Sequence, residues 1–291
     1  MQEKKSSTPC KKSKEGPQPR RTVKKVTPKR SGEIKDFLLS QIEVLQSELV
    51  HFSKSKDPAR MHPLRVSIKK IRAAHAFLKN KGTHAPSLAG ILKIFRREAK
   101  ISELHVLRTH ENILHHLPEK VISRLSKKES EQTDKLIRKI PDYLELIGKQ
   151  KLKYEGMELS EGSRDFTGFA GHQMEAAVRD AGSARRDRIH RLRKRIKRMI
   201  YLVEAAPGLN ECLSNKDLEL LSQLQRKIGD WHDLHHSILI LDPHSKNPDL
   251  KKRIRLLRLK EEARFRTLLK TINGKQVSDL LARKNTDPGA S

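Results

Sequence analysis

Two cysteines in 291 residues, Cys10 and Cys212, give no basis for a disulfide framework and fit a reducing compartment. Aromatic residues make up only 4%, too few for the stacking platforms that hold single-stranded nucleic acids. No apolar run approaches the ~20 residues that span a bilayer. The opening Met1-Gln2-Glu3-Lys4-Lys5 lacks the apolar stretch of a secretory signal, so the expectation is a cytoplasmic protein with no membrane partner. No stretch alternates apolar and polar residues as a strand would. A Gly-x-x-x-x-Gly-Lys-[Ser/Thr] phosphate loop is missing, as is any Ser/His/Asp or Cys/His grouping that would activate a nucleophile. No enzymatic activity, catalytic residue or cofactor is therefore expected.

What the chain does have is positive charge. Apolar residues make up 35% and charged residues 34%, with a net charge of +28. Such an excess repels itself in a compact state and points to an anionic partner. Charge alone is consistent with nucleic acid, anionic lipid or polyphosphate. Residues 1–32 hold eleven Lys and Arg against Glu3 and Glu15, a net of +9, which leaves +19 for the remainder. That segment has almost no large apolar side chains and is expected to be a disordered basic tail; the body is basic in its own right.

From Ile34 onward apolar residues recur at helical spacing. Phe37, Leu38, Ile42, Leu45 and Leu49 stripe a first helix. A second follows Asp57-Pro58, with Asp as N-cap and Pro in the first turn, and stops near Asn80-Lys81-Gly82. A third is expected over Ser87 to Leu117, a fourth segment from Pro118, and a short stretch from Pro141. After a linker from Gly156 to Gly168 come helices near Phe169–Ala181, Ala184–Ala206, Lys216–Leu241 and Pro248–Ile272. The order of elements repeats, and so do residues. His62-Pro63-Leu64-Arg65-Val66-Ser67-Ile68-Lys69-Lys70 aligns without a gap with His190-Arg191-Leu192-Arg193-Lys194-Arg195-Ile196-Lys197-Arg198. A duplicated unit is the simplest cause, giving two all-α halves, each a bundle, packed about a pseudo-twofold axis. The expected boundaries are 33–156 and 164–275 within one domain of 33–275, with a disordered C-terminal tail at 276–291.

At about 100° per residue, His62, Arg65, Lys69 and Arg72 fall within an arc of roughly 80°, while Leu64, Ile68, Ile71 and Leu78 point away from it. The cationic ladder is about 15 Å long, which suits several consecutive phosphates better than one. The second half presents His190, Arg193 and Lys197 in the same way, with Ile200 where Arg72 stands. Lys93, Arg96, Arg97 and Lys100 form a third ladder, and Lys251, Arg255 and Arg258 are spaced i, i+4, i+7 near the C-terminus. A charge run is usually a solvated face, but such a face normally carries carboxylates one turn away. The Arg65–Arg72 stripe has none at i±4, and its duplication favours a shared anion site. His62 and His190 open their stripes either as phosphate donors, stronger when protonated, or simply bonded to a backbone carbonyl.

These stripes resemble the CHAD family, the "conserved histidine α-helical domain", whose signature is His-x-x-Arg-x-x-x-[Lys/Arg]-x-x-Arg in each of two halves. His62, Arg65, Lys69 and Arg72 match it in full; His190, Arg193 and Lys197 match it in the second half and continue with Tyr201 and Glu204. Leu224-Gln225-Arg226-Lys227-Ile228-Gly229-Asp230-Trp231-His232-Asp233 is similar to that family's Leu-Gln-x-x-Leu-Gly-x-x-x-Asp segment. The first half offers Ile101-Ser102-Glu103-Leu104-His105-Val106 instead. The resemblance covers roughly residues 33 to 272. It implies two four-helix bundles around a basic central channel, binding of inorganic polyphosphate, association with polyphosphate granules, and no catalysis.

Trp231-His232-Asp233-Leu234-His235-His236 holds several potential metal ligands, but no second cluster completes a set at recognisable spacing, and no metal is expected. Asp233 would orient a neighbouring cation or cap a helix. Glu204 would pair with an arginine across the channel or act as an acid that guards against other anions. Two other functions compete with polyphosphate binding. One is non-specific nucleic-acid binding through phosphate contacts, with the basic tail contributing. The other is an accessory subunit that feeds phosphate chains to a separate enzyme.

Overall fold

The structure, a computed structural model, describes residues 33–80, 85–109, 117, 119–157, 163–183, 185–205, 213–244 and 248–282. The N-terminal tail lies outside them. Among the described residues every regular element is helical: α1 (Glu33–Ser55), α2 (Met61–Asn80), α3 (Ala89–Thr109), α4 (Glu119–Ile137), α5 (Ile140–Glu155), α6 (Ser163–Ala181), α7 (Arg186–Ala205), α8 (Asn215–Leu241), α9 (Pro248–Ile272) and α10 (Lys275–Ala282). None of these helices is long and apolar enough to cross a membrane.

Local chemistry sets the ends. The Asp57 side chain accepts from the Ala59 amide and caps the single 3-10 turn Pro58–Arg60 that runs into α2. α8 opens on a capping box, Ser214 and Asp217 each satisfying the other's backbone amide. The third helix is described from Ala89 to Thr109, and residues 110–116 of its expected span to Leu117 lie outside the described residues. One boundary differs from the sequence reading. α6 begins at Ser163, inside the segment expected to be a linker.

The halves follow the same order, with α2 and α7 as equivalent helices packed directly against each other. One contiguous apolar core runs across that seam instead of one core per half. It takes Leu38, Ile42 and Leu45 from α1, Leu64, Ile68 and Ile71 from α2, Ile189, Leu192 and Ile196 from α7, and Leu221, Leu224 and Ile228 from α8. α2 and α7 each bury one stripe, leaving the cationic stripe beside it free to meet the other half. A second, smaller cluster gathers Leu107 of α3, Val121, Ile122 and Leu125 of α4, Ile238 and Leu241 of α8, and Leu250, Ile254 and Leu257 of α9.

Residues 276–282, expected to belong to a disordered tail, are helical, and 283–291 lie outside the described residues. After the turn at Asn273-Gly274, α10 continues to Ala282 and buries Val277 and Leu280, packing mainly against α6. Two apolar side chains three residues apart give this short helix a face to bury, and that docking offsets its ordering entropy.

Candidate functional site

Arg65 and Lys69 on α2 face Arg193 and Lys197 on α7 closely enough to perturb one another. Burial, and then the charges of Arg65, Lys197 and Arg193, together lower the Lys69 ammonium to about 8, with Glu98 opposing. Lys197 is lowered by burial and then by Arg193 and Arg65, while Asp233 acts the other way. The two ladders therefore converge on one place from both halves.

Each ladder is held differently. Arg65 Nη1 donates to Glu98 Oε2 at 2.8 Å, and its guanidinium lies 5.0 Å from the centre of the Phe95 ring. Arg72 lies over the same ring at 5.1 Å. Glu98 is completely buried and also accepts from Ser102 Oγ. Arg193 crosses α8 at Gly229, where a Cβ would sit 3.1 Å from its Nη2. Its Nε is buried without a hydrogen-bond partner among the described residues. Gly229 is thus a close-approach glycine: a Cβ there would press on the guanidinium, which would have to give by a few tenths of an ångström.

His190 stacks on His232 with ring centroids 4.7 Å apart, and His236 follows 6.1 Å beyond. Burial, then Lys194, His232 and Arg193, lower the His190 imidazole to about 4, and its Nδ1 is buried without a partner among the described residues. The Asp233 carboxyl is held below the usual range by its hydrogen bond with His232 and by Arg193 and Lys197. Tyr201, one turn beyond Lys197, is half-buried; burial and the nearby Glu204 charge raise its hydroxyl. Glu204 pairs with Lys70 of α2, a lysine where an arginine was expected, so this ion pair also crosses the seam.

The other expected residues lie elsewhere. His62 stands exposed at the start of α2. Lys93, Arg96 and Lys100 are exposed on α3, turned well away from the Phe95–Glu98–Ser102 side that meets Arg65. Arg97 donates to the Lys135 carbonyl of α4. On α9, Arg255 is exposed and Arg258 is held by both oxygens of Asp242 at 2.8 and 2.9 Å. The opposite face of α9 supplies Arg253, Lys260 and Arg264, which line a cleft of about 360 Å³ with Asp230, Asp233 and Ser237 of α8. Their spacing, i, i+7, i+11, was the available clue to these three. Sequence reasoning also missed the buried acids. Glu129 holds His105 and Arg108; Glu261 holds Arg186, His235 and the Trp231 Nε1–H; Asp180 holds Arg191 and Arg195. Among the described residues no three His, Cys, Asp or Glu side chains converge as a metal set.

The arrangement offers cationic side chains and an imidazole in fixed positions, with Arg193 Nε and His190 Nδ1 buried without partners among the described residues. The matching of known sequences agrees with its architecture: the CHAD domain model fits residues 36–242. The chain belongs to the CHAD family. The fold agrees with that of another CHAD domain, in the crystal structure of the CHAD domain from the plant Ricinus communis. The match has a TM-score of 0.62 and 16% sequence identity, covering 89% of this chain and 92% of that one. No curated protein matches the sequence significantly. In this CHAD domain the family match ends at Asp242, so α9, with Arg253, Lys260 and Arg264 along the cleft, lies beyond it.

Proposed function

We propose that this CHAD domain binds inorganic polyphosphate without chemical turnover, in the space between the α2 and α7 ladders. The observation that carries the reading is the convergence of Arg65, Lys69, Arg193 and Lys197 from two helices on one place. Lys69 is crowded enough to titrate at about 8. Like charge that Glu98 and Asp233 offset only in part is unfavourable for folding and is relieved by a polyanion. Closely spaced phosphates bring several negative charges within reach of all four side chains at once, and the cationic forks of arginine match phosphate oxygens. The orphaned Arg193 Nε and His190 Nδ1 are donors such an anion would satisfy. Association with polyphosphate granules in the cytoplasm follows from the same ligand.

The test is a competition titration at near-physiological salt. Labelled long-chain polyphosphate is displaced by unlabelled polyphosphate, duplex DNA or RNA at equal phosphate concentration. Polyphosphate is expected to compete at least ~100-fold better, a gap of about 2.7 kcal/mol. Equal competition by DNA or RNA would identify a general polyanion binder and refute selectivity. The Lys69→Gln, Lys197→Gln double variant, which leaves the Arg65–Glu98 pair in place, is expected to weaken binding severely while its circular dichroism stays helical. Loss of binding on deleting residues 1–32 alone, with the double variant unaffected, would move the site to the tail.

A further inference from the structure

Arg65 and Arg193 hold equivalent places in the repeated segments, yet their surroundings differ by one charge. Arg65 meets α3 at Glu98, a carboxylate with no exposed surface. Arg193 meets α8 at Gly229 and keeps a buried Nε without a partner among the described residues. Aligning Lys100-Ile101-Ser102 with Lys227-Ile228-Gly229 puts Gln225 where Glu98 stands, four residues earlier. The first half therefore carries a buried negative charge beneath its arginine that the second half lacks. The other acids at the ladders, Asp233 and Glu204, have side chains 73% and 48% exposed and can turn to water when an anion arrives. Glu98 has no such exit.

We infer that Glu98 is an affinity-setting residue: a fixed negative charge that occupies Arg65 and opposes an anion on the first ladder. The anion is then anchored on Arg193, Lys197 and Lys69. This rests on the anion binding proposed above. Arg65 is held from two sides, by Glu98 and by the face of Phe95, and the Arg65–Glu98 pair brings no net charge to the site. Glu98 also acts on Lys69 in the sense opposite to the surrounding cations. It lowers affinity near neutral pH but helps Lys69 keep its proton as pH rises.

Inorganic polyphosphate of defined length, titrated against the full chain, separates the possibilities. Glu98→Gln preserves shape and an acceptor oxygen for Arg65 while removing the charge. It is expected to bind at least about threefold more tightly at pH 7, with its loss of affinity on the alkaline side moved to lower pH. Gln225→Glu adds the missing charge at a half-buried position without breaking a buried pair. It is expected to weaken binding by a similar factor, which keeps the question open to test if Glu98→Gln fails to fold. A folded Glu98→Gln that binds no better than wild type, or a Gln225→Glu that binds as well, overturns the inference. A wild-type chain that binds no polyphosphate refutes the proposed function itself, and this inference with it.

Discussion

Lys69 makes the pH response of the site calculable. In the free protein its ammonium loses its proton near 8 instead of 10.5. A polyanion beside it replaces lost hydration with negative charge, so in the complex the proton is held to its ordinary value or higher. The sign follows from this difference. As pH rises through 8 the free protein gives up the proton while the complex keeps it, so binding takes up a proton and weakens by up to about tenfold per pH unit. Between pH 7 and pH 9.5 this one lysine is expected to reduce affinity roughly twenty- to thirtyfold. Lys197, lowered in the same direction by burial and Arg193, adds to the same limb. The assay is fluorescence anisotropy of labelled long-chain polyphosphate at constant ionic strength, with wild type and Lys69→Met compared and helicity checked at each pH. Lys69→Met is expected to bind more weakly at pH 7 and to show a shallower alkaline limb. A wild-type affinity flat from pH 7 to 9.5, or a Lys69→Met profile as steep as wild type, would refute the reasoning. The same lysine opposes folding: its depressed value means the unfolded chain binds more protons between 8 and 10.5, so stability rises with pH across that window. Lys69→Met is accordingly expected to raise stability near neutrality, by about 1 kcal/mol after allowance for solvent screening.

Gly229→Val is expected to displace the Arg193 guanidinium and weaken polyphosphate binding about tenfold, whereas Gly229→Ala, meeting only the flexible end of that side chain, costs little; titration of both variants checks this. Glu261→Ala removes the acceptor for Trp231 Nε1 and the partner of Arg186 and is expected to destabilise by about 3 kcal/mol, read as a lowered midpoint in thermal unfolding. His190, lowered to about 4 in the free protein, gains a proton when an anion is bound, so affinity is expected to rise as pH falls from about 6.5 toward 4. His190→Gln should remove that rise, and a rise that persists in the variant would assign it to other groups.

The two ladders were legible because a 3.6-residue period converts directly into a shared face, and because the His-x-Leu-Arg-x-x-Ile-Lys repeat made one face into two. The same period could not say which neighbour a face meets. Lys93, Arg96 and Lys100 share a face of α3, but Phe95 and Glu98, on a different side, are what meet α2. Arg255 and Arg258 share a face of α9, and the cleft lies along the opposite one. Glu98, Glu129 and Glu261 were illegible for another reason. A glutamate among lysines and arginines reads as surface, and its burial is decided by a cation from a different helix. α10 escaped notice because eight residues give too few turns for a period to show.

α2 and α7 form the seam between the halves, and the ladders lie across it, each half supplying about half of the cations. A ligand held there is a tie between two parts of one chain as well as an occupant of a site. Its binding free energy is added to whatever keeps the halves together, so occupancy should slow the separation of α2 from α7 more than the fraying of the α3–α4 or α8–α9 hairpins. The four converging cations share one place only where α2 and α7 meet, so neither half alone would reproduce the proposed site.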